Sequence, residues 1–292
     1  MSDNGNAALM KAYNRYLRLQ RGFSPNTLEA YQRDVKKLTD YLDGEGIKLT
    51  DVTLEHLQSF AASLHDLGIG AKSQCRILSG VRSFCNFMVR DGRIEDDPSE
   101  LLESPQTGKH LPEVLSIEEV DMLEAAIDCT KWEGQRNRAM IEMLFSCGLR
   151  VSELVNLKLS DLYLDERFIR VLGKGNKERI VYFDARTKIH LQNYLSKRKD
   201  NNPALFVSLK TPYDRLKIGG VEARLRNLGK QLGLNKVHPH KFRRTLATMA
   251  IDKGMPIEQL QKLLGHSKID TTLQYAMVKQ SNVKIAHRKY IG

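Results

Sequence analysis

Six residues in the second half of the sequence carry side chains suited to chemistry on a phosphodiester. Arg150 lies in Cys147-Gly148-Leu149-Arg150-Val151-Ser152-Glu153-Leu154, and Lys174 in Gly173-Lys174-Gly175-Asn176-Lys177-Glu178-Arg179. His240 and Arg243 form His-x-x-Arg, His266 follows Leu263-Leu264-Gly265, and Tyr275 stands nine residues later. A planar guanidinium can fork onto two phosphate oxygens, so a pair of arginines suits a phosphate clamp. Histidine and lysine move protons. A tyrosine hydroxyl can attack phosphorus and remain attached. Taken together, these residue types imply cutting and rejoining of DNA through a phosphotyrosine.

Each residue has a plainer reading. Tyr275 suits an ordinary half-buried helix position. Arg150 can pair with Glu153 at i+3. Lys174 can be a solvated loop lysine, and Lys177 is its rival in the same loop. His266, after Gly265, can cap the end of a helix, a role compatible with chemistry. His238-Pro239-His240 invites a metal reading but has no third ligand at a recognisable spacing, so no metal is expected. The glycines around Lys174 do not form the GxxxxGK[ST] nucleotide loop.

The elements that must position these residues follow from periodicity and breakers. Apolar residues recur at helical spacing from Leu9 to Leu42, interrupted at Ser24-Pro25-Asn26-Thr27, where Ser24 can cap and Pro25 can open a second helix. Further helices are predicted over 53–66, 71–90 and 96–102. Ser104-Pro105-Gln106-Thr107-Gly108-Lys109-His110-Leu111-Pro112 is rich in breakers and reads as a linker, giving domains 1–106 and 107–292. The second begins with the capping box Ser116-Ile117-Glu118-Glu119. Helices are predicted over 117–128, 134–147 and 151–155. Strands Phe168–Leu172 and Arg179–Phe183 are joined by a hairpin loop, and helices dominate from about residue 185. The expected fold is therefore mainly α in two domains, a helical bundle followed by a mostly helical domain with a small antiparallel sheet.

Composition agrees with a polyanionic partner. The 292 residues suffice for two cores, 41% are apolar, and the net charge is +11. That charge is uneven: residues 1–108 hold 13 Lys and Arg against 15 Asp and Glu, whereas residues 109–292 hold 33 against 20. The basic excess lies where the motifs lie. Cys75, Cys85, Cys129 and Cys147 have no metal or redox spacing and read as reduced thiols. No signal peptide or 18-residue apolar run is present, so a cytoplasmic protein without membrane contact is expected.

In the order and spacing of these motifs, from about Ala12 to about His287, the chain resembles the tyrosine recombinases, and among them the Xer type. The resemblance implies a SAM-like core-binding first domain and a catalytic second domain closing as a C-shaped clamp on duplex DNA. It implies Arg150 and Arg243 on the scissile phosphate, Lys174 as general acid, His240 and His266 on phosphate oxygens or the nucleophile's proton, and Tyr275 as nucleophile. Glu153 is expected to support the site and Asp161 is not expected to be catalytic. Lys72, Arg76 and Arg82 in the first domain, with Lys177, Arg179 and Arg244 in the second, are expected to bind DNA. Lys197-Arg198-Lys199, Arg224, Arg226 and Lys230 suit either phosphate contacts or a solvated face. No cofactor is implied. A homo- or hetero-tetramer on DNA is implied, with the helix from Gln280 to Lys289 docking on a neighbouring protomer, a second recombinase and a DNA translocase. Xer relatives usually carry His after the second arginine, where this chain has Arg244, a variant found in integrases of mobile elements. The short stretch before Ala12 leaves no room for an arm-binding domain and favours the Xer type. Dimer resolution and element integration both stay open, beside a type IB topoisomerase and a non-catalytic DNA-binding module.

Overall fold

The computed structural model describes residues 3–108, 113–173 and 177–276, and the chain divides into two compact units, residues 1–109 and 110–292.

The first unit is built from helices α1 (Asp3–Leu19), α2 (Pro25–Gly44), α3 (Leu54–Asp66) and α4 (Ala71–Arg90). Ser24 caps α2 by accepting from the Thr27 N–H, with Pro25 at the first helical position, and Thr53 and His56 form a capping box on α3. The apolar faces bury Tyr13, Leu17, Leu38, Phe60, Ile77 and Phe84 in one core. The Tyr13 ring meets Phe84 edge-on, with centroids 5.1 Å apart. The helix predicted over 96–102 is instead a pair of turns. Pro98 disfavours helical backbone at Asp97, whose carboxylate accepts from both the N–H and the hydroxyl of Ser99. This local bond competes with the helical ladder.

The second unit contains α5 (Ile117–Ala125), α6 (Trp132–Cys147), α7 (Val151–Asn156), β1 (Leu162–Tyr163), β2 (Phe168–Leu172), β3 (Glu178–Tyr182), α8 (Ala185–Ser196), α9 (Ile218–Gln231), α10 (Pro239–Asp252), α11 (Ile257–Leu264) and α12 (Asp270–Ala276). The predicted capping box forms, Ser116 and Glu119 each satisfying the other's backbone N–H. The antiparallel sheet runs β1-β2-β3 with Val171 opposite Arg179 and Ile169 opposite Val181. β1 was not anticipated; two residues are too few to show alternation. Residues 197–217 depart from the expected helical run. Their buried Ala204-Leu205-Phe206-Val207 stretch is held by isolated bridges, Lys158 to Ala204 and Val207 to Arg215. Arg198 belongs to this scaffold, not to a solvated face: it is paired with Asp200 and donates to the Ala204 and Leu205 carbonyls.

Helix α6 runs through the core with Met140, Ile141, Met143 and Leu144 buried. A ring of charges ties it to α5 and α8: Arg138 and Arg186 each bridge the buried Glu124 and Glu142. Within this ring two guanidinium groups face two carboxyl groups. No described helix is long and apolar enough to cross a membrane.

Candidate active site

Two left-handed glycines set the backbone of the site. Helix α6 ends at Gly148 (φ +57°) and α11 at Gly265 (φ +63°), a conformation that costs other residues energy. Each glycine turns the chain directly into a candidate residue. Gly148 leads through Leu149 to Arg150, which caps α7, and Gly265 leads to His266.

Arg150 is anchored by Glu153. The carboxylate accepts from the Arg150 backbone N–H at 2.8 Å and from Nη1 at 2.8 Å, while Nη2 donates to the Gly265 carbonyl at 3.3 Å. The surface-pair reading of Arg150 and its role as a phosphate candidate thus hold together, since the side chain keeps 30% of its exposure.

Arg243 is buried one turn into α10. Pro239 opens this helix, and His240 and Arg243, three apart, share a face. Arg243 donates from Nη1 to the Gly148 carbonyl and from Nη2 to the Leu264 carbonyl, so it bridges the ends of α6 and α11. Its Nη2 also lies 2.9 Å from His266 Nε2. Burial, then the nearby Arg150 charge, lowers the Arg243 pKa to about 10, which leaves it protonated at neutral pH.

These contacts fix the tautomer of His266. A guanidinium only donates, so Nε2 accepts and the proton sits on Nδ1, 2.9 Å from Thr272 Oγ1. Burial, followed by the charges of Arg243, Arg150 and Arg179, pushes the His266 pKa down to about 4, so the ring is neutral at pH 7. Gln261 holds the His266 carbonyl at 3.0 Å. Thr272 and Tyr275, three apart on α12, face the same way; the Tyr275 ring lies 6.1 Å from that of His266, nearly parallel at 23°. Tyr275 packs on the small cluster of Ala247, Ala250, Leu260 and Leu264, which fixes α12 against α10 and α11.

His240 is exposed at the start of α10, yet partial desolvation and the charges of Arg243, Arg244 and Arg150 lower its pKa. Its ring centroid lies 6.4 Å from that of His238, and among the described residues no group of three His, Cys, Asp or Glu could hold a metal. Lys174 lies outside the described residues, as does the segment Gln280 to Lys289. Lys177 is exposed and closes the hairpin, its carbonyl accepting from the Gly173 N–H at 2.8 Å.

Three of the residues expected to contact DNA also make bonds within the protein. Arg179 faces inward on β3 with Val181, because strand residues alternate faces and Val181 is core. Both its Nη groups bond Glu153 at 2.9 Å, and Nε donates to the Leu263 carbonyl at 3.0 Å. Arg82 is spent on the Leu102 carbonyl and the Ser104 hydroxyl, fastening the segment after α4. Arg76 is half-exposed but paired with buried Asp34 at 2.6 Å. Lys72 is exposed on α4, and Arg244 is half-buried with Nη1 near the Glu113 carbonyl. Arg224 pairs with Glu133 at 3.0 Å. Burial raises the pKa of Glu153, but the bonds from Arg179 and the Arg150 N–H outweigh it and hold the carboxyl below its usual range. Asp161 accepts from the Lys158 N–H and caps a short turn. Thr272 was not anticipated, although its place three residues before Tyr275 put it on the same helical face.

Comparison with known proteins places this geometry. Residues 113–282 match the phage integrase family, and residues 10–92 match the phage integrase N-terminal SAM-like domain. The chain is 34% identical over 290 residues to Tyrosine recombinase XerD of Staphylococcus epidermidis, covering 97% of this chain and 98% of that protein. It is 35% identical over 296 residues to Tyrosine recombinase XerD of Staphylococcus aureus, with the same coverage. Among solved structures, the crystal structure of XerA recombinase aligns at 26% identity and TM-score 0.54 over 98% of this chain and 99% of that one. The Tn1549 transposon integrase in complex with a circular intermediate DNA shares the fold at TM-score 0.77 and 19% identity, over 96% of this chain and 98% of that one. The chain therefore belongs to the phage integrase family and is a tyrosine recombinase of the Xer type, a class of enzyme that cleaves and rejoins DNA.

Proposed function

We propose that Tyr275 is the nucleophile, that Arg150 and Arg243 clamp the scissile phosphate of a duplex recombination site, and that Lys174 is the general acid. The observation that supports this most is convergence: Arg243 touches His266, the His266 ring stacks near that of Tyr275, and Arg150 and Arg243 bond the adjacent carbonyls of Gly265 and Leu264 that lead into His266. The Tyr275 oxygen attacks phosphorus, the bond to the 5′ oxygen breaks, and the departing oxygen takes a proton from Lys174. The phenol's proton passes to a neutral acceptor. His266 Nε2 has the lone pair for it once Arg243 turns from the ring to the phosphate; His240 bonds a non-bridging oxygen. The two guanidinium groups spread the charge that builds on phosphorus oxygens. The product is a 3′-phosphotyrosyl ester and a free 5′-hydroxyl. A 5′-hydroxyl of the partner duplex reverses the step, so the ester conserves the bond energy and no cofactor is required.

The narrower role proposed is resolution of chromosome or plasmid dimers by a tetramer on two DNA sites. The two units would clamp the duplex, the C-terminal helix would dock on a neighbour, and a second recombinase and a DNA translocase would assist. Near-full-length similarity to XerD proteins supports it. Arg244, standing where Xer relatives usually have His, favours a second reading, integration and excision of a mobile element.

Covalent trapping tests both. Wild type and Tyr275→Phe are incubated with nicked suicide substrates carrying candidate sites, and adducts are read on denaturing gels. An adduct with wild type only, on a dimer-resolution site, is expected. Trapping on element ends alone would favour integration. An adduct that persists in Tyr275→Phe would refute the assignment of the nucleophile.

A further inference from the structure

Arg179 is not part of the six-residue set, yet it occupies the centre of the network beneath it. The Glu153 carboxylate has about four lone-pair sites. Arg150 fills two of them, with its backbone N–H and Nη1, and Arg179 fills the others with a two-pronged fork at 2.9 Å on each oxygen. Arg150 is thereby limited to one side-chain bond with Glu153, plus one to the Gly265 carbonyl. Its other N–H groups find no acceptor among the described residues.

The seat of Arg179 is built for a guanidinium. A Cβ on Gly265 would lie 3.1 Å from Nη1 and 3.2 Å from Cδ and Cζ, so the flat group lies close against this turn and a side chain there would push it aside by a few tenths of an ångström. Nε takes the Leu263 carbonyl while Arg243 and Arg150 take those of Leu264 and Gly265. Three arginines thus satisfy three successive carbonyls at the C-terminal end of α11, where the helix dipole is negative. The charges make the point sharper. Arg150 and Glu153 alone are a neutral pair. With Arg179 the trio carries one net positive charge, to which Arg243 adds a second.

We propose that Arg179 is a positioning residue for cleavage: by occupying half of Glu153 it leaves the Arg150 charge uncompensated and its free N–H groups turned outward toward the scissile phosphate. The inference rests on the assignment of Arg150 to that phosphate. Without Arg179 the Arg150 fork can close on Glu153 and its charge is cancelled.

The test compares two suicide substrates, one with a phosphodiester and one with an uncharged methylphosphonate at the scissile position. Rates of adduct formation are measured for wild type, Arg179→Ala and Arg150→Ala at saturating DNA. On phosphodiester, Arg179→Ala is expected to be slower by about ten- to a hundred-fold, less than the about 10²–10³-fold of losing a charge-stabilising group outright, because Arg150 itself remains. On methylphosphonate, which brings no negative charge to balance, the ratio to wild type should move toward one for both variants. A second arm adds Glu153→Gln to Arg179→Ala; removing the competing carboxylate charge should restore part of the lost rate. If Arg179→Ala is equally impaired on both substrates and the double variant is no faster, Arg179 is only a structural brace and the proposal is overturned. If Arg150→Ala also shows no substrate dependence, the assignment of Arg150 to the phosphate falls with it.

Discussion

Lowering the pH should destabilise this protein through His266 in a way that a single substitution removes. The ordinary histidine pKa is 6.5, and in the folded state His266 is held down at about 4, by burial and then by Arg243, Arg150 and Arg179. The unfolded chain therefore binds a proton that the folded chain refuses. Stability from this group is fully present above pH 6.5, falls as pH drops from 6.5 toward 4, and levels off below 4. Each pH step in that window is worth about 1.4 kcal/mol, so from pH 7.5 to pH 5 the loss is about 2 kcal/mol. Burial and neighbouring charge also lower His190, His238 and His240, and burial with the Glu142 charge raises Glu124 to about 7, so the wild-type curve mixes several groups. The difference between wild type and His266→Gln isolates one. The assay is urea unfolding at both pH values, followed by fluorescence of Trp132, the single tryptophan of the chain and a member of the second unit. The variant should lose about 2 kcal/mol less than wild type. Equal losses would mean that His266 is not held neutral by the arginines, and the tautomer assignment would fail with it.

Three further outcomes are expected. Thr272→Val leaves the His266 Nδ1–H without its acceptor in a buried place, which should cost about 1–3 kcal/mol in calorimetry and slow adduct formation. Gly148→Ala combines a left-handed backbone with a Cβ placed 2.7 Å from Leu246 Cδ2, and a melting experiment should show a loss of about 2–4 kcal/mol. Glu142→Gln leaves Arg138 and Arg186 short of one buried counter-charge, which should cost about 3–5 kcal/mol in denaturant. Because that ring lies outside the candidate site, cleavage per folded molecule should be unchanged.

Local signals were legible wherever one element decides them. Ser24-Pro25, the Ser116 capping box and the helix-ending glycine Gly265 act within a turn of their own position, and the structure has them where the sequence places them. The segment 96–102 was misread because a side-chain bond from Asp97 to Ser99 outcompeted an apolar pattern. The inward face of Arg179 also had a signal in the sequence: Arg179, Val181 and Phe183 alternate onto one face, and the two apolar members say which face is inside.

Residue type and order alone carry the inventory of chemistry, a tyrosine, two guanidinium groups, two imidazoles and a lysine, because both survive without knowledge of the fold. Their state is set by the packed fold. The neutral His266, its Nδ1–H tautomer, the shared Glu153 and the inward Arg179 depend on groups far apart in the chain. Arg243 reaches a carbonyl 95 residues away and Arg179 one 84 residues away. Protonation and hydrogen-bond direction are set by the distance and burial of neighbouring charges, and those exist only once α6, α10, α11 and the β-hairpin have packed together.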